Sequence, residues 1–118
     1  MNSIFDIVCQ DDCLIITPSA DLGEAVFEQR REEVDRILSA LDAATTRNLI
    51  LDFRHTNQFG STALGFFVKL WKRVRERNGR MAFCNLTEHE NEILHLTKLD
   101  QLWDMCDSND DAMKAIRK

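Results

Sequence analysis

The sequence predicts an α/β fold: a mixed sheet that opens with an antiparallel hairpin, continues with parallel strands, and carries about four helices. Three observations lead there. Two short apolar segments near the N-terminus are separated by the polar turn Gln10-Asp11-Asp12, a hairpin signature. After them, strand-length apolar runs alternate with stretches whose apolar residues recur at helical spacing, as in parallel strands joined by helical crossovers. The 118 residues hold a single proline, Pro18, and no linker, repeat or low-complexity tract, so one domain over residues 1–118 is expected.

The elements follow in order. Ile4 to Val8 and Cys13 to Thr17 form the hairpin strands. Pro18-Ser19-Ala20-Asp21 breaks the strand pattern and leads into a helix of about 18 residues, striped by Phe27, Val34, Ile37, Leu38 and Leu41. The run "NLILDF" from Asn48 to Phe53 has the continuous apolar character of a strand covered on both faces. Ser61 to Arg77 is the second long helix, with Leu64, Phe67, Val68, Trp71 and Val74 as its expected buried stripe. Asn78-Gly79 stops it, glycine being suited to the positive φ that follows a helix end. Arg80 to Asn85 is the next strand. Thr87 and Glu90 match the capping box of a short helix running to about Leu96. Leu102 to Met105 is a brief strand, and Asp107-Ser108-Asn109-Asp110 is an N-cap signal for a last helix bearing Ala112, Met113 and Ile116.

Composition narrows the function. Hydrophobic residues at 44% and charged residues at 30% describe a globular domain rather than a disordered tail. The net charge of -5, with its one dense basic cluster from Lys69 to Arg80, disfavours nucleic acid as a partner, since phosphates repel an acidic surface. The opening "MNSIFDIVCQDDC" has no basic start and no long apolar run. No segment approaches the ~20 apolar residues of a spanning helix, so no membrane association and a cytoplasmic location are expected. Cys9, Cys13, Cys84 and Cys106 lack redox or zinc spacing and read as reduced thiols, although Cys9 and Cys13 could approach across the hairpin.

Known catalytic patterns are absent: no phosphate loop, no dinucleotide fingerprint and no nucleophile elbow. His55, His89 and His95 lack the spacing of a helical metal pair. Asp52, inside an apolar run, is either a poised carboxylate or an end-of-strand acid bonded to nearby N–H groups. No catalytic residue, metal or cofactor is therefore expected. What remains is "QFGSTALGFF", Gln58 to Phe67, where two hydroxyls stand before an apolar helix. One of them is accounted for as an N-cap worth ~1 kcal/mol. A phosphoryl group on either would add about -1.5 to -2 charges beside the free N–H groups of the helix start.

From "LILDF" onward the ordered set of segments resembles the STAS domain of anti-sigma factor antagonists. Those proteins carry an apolar strand ending in Asp, a D-S-S/T-G-L-G loop, a long helix, a glycine turn, an L-x-L-T-x-L segment and a closing D-S strand end. Here Leu51-Asp52, Ser61-Thr62, Leu64-Gly65, Asn78-Gly79, Leu94 to Leu99 and Asp107-Ser108 take those places. The resemblance implies a non-enzymatic regulator that binds an anti-sigma factor, a serine kinase of the GHKL ATPase type, and that a PP2C-type phosphatase resets. It puts the phospho-acceptor at Thr62, with Ser61 beside it, and partner contact along Gln58, Phe59, Gly60, Ser61, Thr62, Ala63 and Leu64. Two departures stand out: Gly60 replaces the family's acid, and Ala63 its glycine. They support a second reading, a non-phosphorylated scaffold subunit of a larger signalling assembly. A homodimer is left open.

Overall fold

The computed structural model describes residues 3–43 and 45–117, which form one five-stranded sheet of order β1-β2-β3-β4-β5. The strands are β1 (Phe5–Gln10), β2 (Cys13–Pro18), β3 (Asn48–Asp52), β4 (Met81–Cys84) and β5 (Asp104–Cys106). β1 and β2 pair antiparallel, and every later pairing is parallel. Asp11 takes the left-handed conformation (φ 58°) that a tight two-residue hairpin turn demands, which Asp tolerates better than most residues. The register pairs Cys9 with Leu14 and Gln10 with Cys13. Paired residues share a face and neighbours alternate, so Cys9 and Cys13 lie on opposite faces and do not approach each other.

The single long helix expected after Pro18 is two: α1 (Glu24–Gln29) and α2 (Arg31–Leu41). The break falls at Arg30 (φ -117°, ψ 35°), whose guanidinium meets Glu33 at 3.0 Å. Glu33 in turn accepts from the Ile4 amide (2.9 Å) and the Ser3 hydroxyl, so the bend lies where the helix is fastened to the start of β1. The remaining helices are α3 (Ser61–Glu76), α4 (Glu88–Leu96) and α5 (Asn109–Ile116). A 3-10 turn at Leu99–Gln101 takes up the chain before β5, which begins two residues later than the sequence pattern indicates and leaves Leu102 exposed.

Alternation along the strands divides the core. Leu14, Ile16, Leu49, Leu51, Met81 and Phe83 face α1 to α4, whereas Cys13, Ile15, Ile50, Ala82 and Cys84 face α5. Within α3 the buried residues are Ala63, Phe66, Phe67, Leu70 and Val74; Leu64, Val68 and Trp71 are only half-buried. The stripe is rotated from the expected one because the helix has two apolar neighbours. Phe66 meets Phe27 of α1 edge-on at 5.3 Å, while Phe67 packs on Phe53, Phe59 and Phe83 over the sheet.

The turn after α3 is also built otherwise than the sequence suggests. Asn78, not Gly79, adopts positive φ (58°). Gly79 is needed for room: a Cβ there would lie 1.7 Å from the Arg47 carbonyl oxygen. Arg47 donates to the Asn78 carbonyl, and Arg77 to those of Ala43 and Thr46, clamping this turn against the entry to β3.

Candidate functional site

The loop from Phe53 to Gly60 joins β3 to α3 and is anchored at each end and in the middle. At its start, Asp52 is 1% exposed and its carboxylate is fully engaged. Oδ2 accepts from Arg54 Nη2 (2.6 Å) and Nε (2.9 Å); Oδ1 accepts from Asn85 Nδ2 (2.9 Å) and the Arg54 amide (3.1 Å). Burial raises the carboxyl's pKa, but these hydrogen bonds and the Arg54 charge outweigh it, and the net shift is downward. Asp52 is thus the end-of-strand acid bonded to nearby N–H groups, with an ion pair to Arg54 added. A depressed folded pKa contributes stability above the unfolded value of about 4, lost as pH falls through the folded pKa. The Asp52→Asn variant is expected to show a flatter acid limb in a plot of urea midpoint against pH.

In the middle of the loop, Thr56 is buried and donates its hydroxyl to Glu90 Oε2 at 2.8 Å. Glu90 closes the capping box of α4 by accepting from the Thr87 amide (2.9 Å), and the Thr87 hydroxyl lies 3.2 Å from the Asn57 carbonyl. The chain before α1 fastens the far end. The Asn57 amide donates to Asp21 Oδ1 (2.7 Å), Leu22 pairs with Phe59 as an isolated parallel bridge, and the Gly60 amide donates to the Leu22 carbonyl (3.0 Å).

This frame presents α3 with its first turn outward. The N-cap is Gly60, in extended backbone and with no side chain to bond. Ser61 and Thr62 occupy the first two helical positions, both exposed, and neither hydroxyl bonds to any other described residue. The expectation that one of them caps the helix is therefore corrected: the cap position lies one residue earlier. The first N–H groups of α3 have no intrahelical acceptor and carry the positive end of the helix dipole. Of the residues expected to meet a partner, Gln58, Ser61 and Thr62 are exposed, Gly60 and Leu64 partly so, and Phe59 and Ala63 are buried beneath them.

A family model for the STAS domain matches residues 5–112. The chain belongs to the STAS domain family. Solved structures show the same fold. An anti-sigma-factor antagonist (STAS) domain protein from Planctomyces limnophilus is 24% identical, with a TM-score of 0.86 over 97% of this chain and 98% of its own. A Thermotoga maritima protein described as a candidate anti-sigma factor antagonist is 23% identical, with a TM-score of 0.85 over 97% and 95%. The Bacillus cell fate determinant SpoIIAA, solved in unphosphorylated and phosphorylated forms, is 17% identical to this chain in each. The TM-score is 0.80 for the unphosphorylated form, over 96% of both chains.

Against the STAS motif, Gly60 is the residue that departs at the cap. A Cβ there would meet only the Leu22 carbonyl oxygen, at 4.0 Å, so the site has room for the acid it lacks. Asp at an N-cap is a few tenths of a kcal/mol better than Gly, and losing a glycine lowers the unfolded chain's entropy. Gly60→Asp is expected to stabilise by about 0.5–1 kcal/mol in urea denaturation. Gly65 is the opposite case. It sits exposed inside α3, and nothing lies within 4 Å of where its Cβ would be. Gly65→Ala should therefore stabilise the fold by up to about 1 kcal/mol, because no contact with a described residue asks for glycine.

Other reactive groups do not assemble. His55 and His89 are exposed, and His95 Nδ1 lies 2.9 Å from Asp100 Oδ2. No group of three His, Cys, Asp or Glu side chains among the described residues could hold a metal ion. Burial pushes the Cys13 and Cys84 thiols up to about 12, which makes them poor nucleophiles. No helix among the described residues is long and apolar enough to cross a membrane. The supporting residues Thr56, Glu90, Asp21 and Leu22 escaped the sequence reading. Only the Thr87–Glu90 box gave a sign of them, and it pointed to a helix start rather than to the loop.

Proposed function

We propose that this protein is a non-enzymatic regulatory module that docks an anti-sigma factor, a serine kinase of the GHKL ATPase type. Contact runs through Gln58 to Thr62 and the start of α3, including Leu64, with Phe59 and Ala63 as its packed base. Phosphorylation of Thr62, or of Ser61 beside it, ends the contact, and a PP2C-type phosphatase restores it. The observation that carries this reading is the pair of exposed hydroxyls bonded to no described residue, in the first turn of a helix that an anchored loop presents by its positive end. A phosphoryl group there meets free N–H donors, so the fold accommodates it while the surface offered to a partner changes sign.

The test is incubation of the purified protein with the GHKL-type ATPases of its source organism and ATP, followed by a binding assay and mass-spectrometric mapping. Binding without transfer of the ATP γ-phosphoryl group to Ser61 or Thr62 removes the switch; absence of binding to every such ATPase removes the function. Thr62→Asp is expected to lower partner affinity by about tenfold or more while leaving Tm unchanged or raised, since a carboxylate suits a helix N-terminus. Equal affinity for wild type and variant would move the docking site elsewhere.

Gly60 favours the second reading. Without the family's acid at the cap, the module could serve as a scaffold subunit that never cycles phosphate. Light scattering that finds a large obligate assembly would favour it.

A further inference from the structure

The solvent side of α3 differs in charge from the rest of the chain. At about 3.6 residues per turn, Ser61, Gly65, Lys69, Lys72 and Glu76 fall on one outward stripe, with Thr62, Val68 and Arg75 at its edges. All are exposed except Val68, which is half-buried. Lys69, Lys72 and Arg75 form no ion pair with another described residue. Arg75 is held in place by stacking over Trp71, 5.1 Å from the ring centroid. Arg73 points aside and is neutralised by Asp42 at 2.5 Å. A protein of net charge -5 thus carries a basic stripe leading away from its two unbonded hydroxyls.

Gly65 adds a second, independent sign. An exposed glycine inside a helix weakens it, and here no neighbour among the described residues needs the space. One turn beyond Ser61, it opens a bare patch of backbone between the hydroxyls and the cations. We infer that the docked partner presents an acidic face, seating backbone or a small side chain on Gly65 and carboxylates over Lys69, Lys72 and Arg75. This rests on the docking role proposed above and names the chemistry of the partner. It also gives the switch its sign. A phosphoryl group at Ser61 stands about 6 Å along the helix from Gly65, and one at Thr62 about 4.5 Å, both inside the screening length of about 8 Å. Either sets bulk and negative charge beside the Gly65 seat; the carboxylates over Lys69 begin ~10–12 Å along the helix from it, so the repulsion they feel is partly screened. Anionic lipid or a nucleic acid would use the cations but has no need of the glycine.

Two arms test this. In the first, affinity for a GHKL-type ATPase that binds wild type is measured for Gly65→Leu and for the triple variant Lys69→Glu/Lys72→Glu/Arg75→Glu, with circular dichroism to confirm folding. Each is expected to bind at least about tenfold more weakly, and wild-type binding should weaken with added salt. In the second arm, a glutamate-rich helical peptide of about 20 residues is titrated into the 15N-labelled protein. Its all-glutamine counterpart, phosphatidylglycerol vesicles and a DNA duplex are run alongside. Amide shifts confined to residues 61–76, absent with the glutamine peptide and in the triple variant, support the inference. Shifts centred elsewhere overturn it, as does vesicle or DNA binding that is tighter and indifferent to Gly65→Leu. If the ATPase binds wild type and triple variant alike, the acidic partner is excluded while the docking role stands. If no ATPase binds, the docking role falls and the peptide arm alone decides.

Discussion

Gly79→Ala is expected to lose about 3 kcal/mol or more of stability, read as a fall in Tm of about 10 °C or more. The added Cβ would sit 1.7 Å from the Arg47 carbonyl oxygen, 2.8 Å from its carbon and 3.1 Å from Val74 Cγ1. Two of these are backbone atoms, so relief requires the strand entry or the helix end to move. Both are pinned: the Arg47 and Asn48 amides donate to the Asp12 carbonyl, and the Arg47 and Arg77 guanidiniums tie the two segments together. Asn78→Gly separates the contributions, because it relieves a positive φ without adding an atom; it should be near neutral or mildly stabilising. A Gly79→Ala protein melting within a few degrees of wild type would show that the turn relaxes freely.

Glu90→Ala is the second large effect, with an expected loss of about 3 kcal/mol. Glu90 is fully buried, and its carboxylate serves two segments at once. Oε2 accepts a hydrogen bond from the Thr56 hydroxyl, and Oε1 accepts one from the Thr87 amide of the α4 cap. Truncation removes the acceptor of the Thr87 amide, leaves the Thr56 hydroxyl only the Phe53 carbonyl at 3.2 Å, and opens a void. Glu90→Gln keeps the shape and one acceptor and should lose less, about 1 kcal/mol. The same contact joins the loop that leads into Ser61 and Thr62 to α4, so the alanine variant should also weaken partner binding. Native-state hydrogen exchange checks the cause: faster exchange at Asn57 and Leu22 is expected, and exchange unchanged there would mean Glu90 serves α4 alone.

Much of the fold was readable in the residues because local signals agreed with one another. The hairpin turn, the "NLILD" strand, the start of α3 and the Thr87–Glu90 box each lie in a short window whose chemistry admits few conformations. The misses share a cause. The bend at Arg30, the rotated stripe of α3 and the later start of β5 depend on what a helix or strand packs against, and a helical period shows a face without naming its neighbours. Trp71 illustrates this. It falls in the periodic stripe, yet α3 turns Phe66 and Phe67 to its two apolar neighbours and leaves Trp71 half-buried under Arg75. Its replacement by alanine should cost less than the ~3–5 kcal/mol of a fully buried aromatic.

The candidate site divides along the same line. The residues of the sequence alone determined that two hydroxyls precede a long helix and that an acid is missing before them, since these are matters of identity and order. Only the tertiary structure decided that Gly60 rather than Ser61 or Thr62 caps the helix, leaving both hydroxyls without a bond to any described residue. It alone brought Asp21, Leu22, Thr56 and Glu90 to the loop from segments as many as 37 positions apart, the separation of Leu22 and Phe59. The physical reason is that capping and anchoring depend on where backbone donors and acceptors end up. That is settled by how the sheet, α1 and α4 meet around the loop, not by the residues beside it.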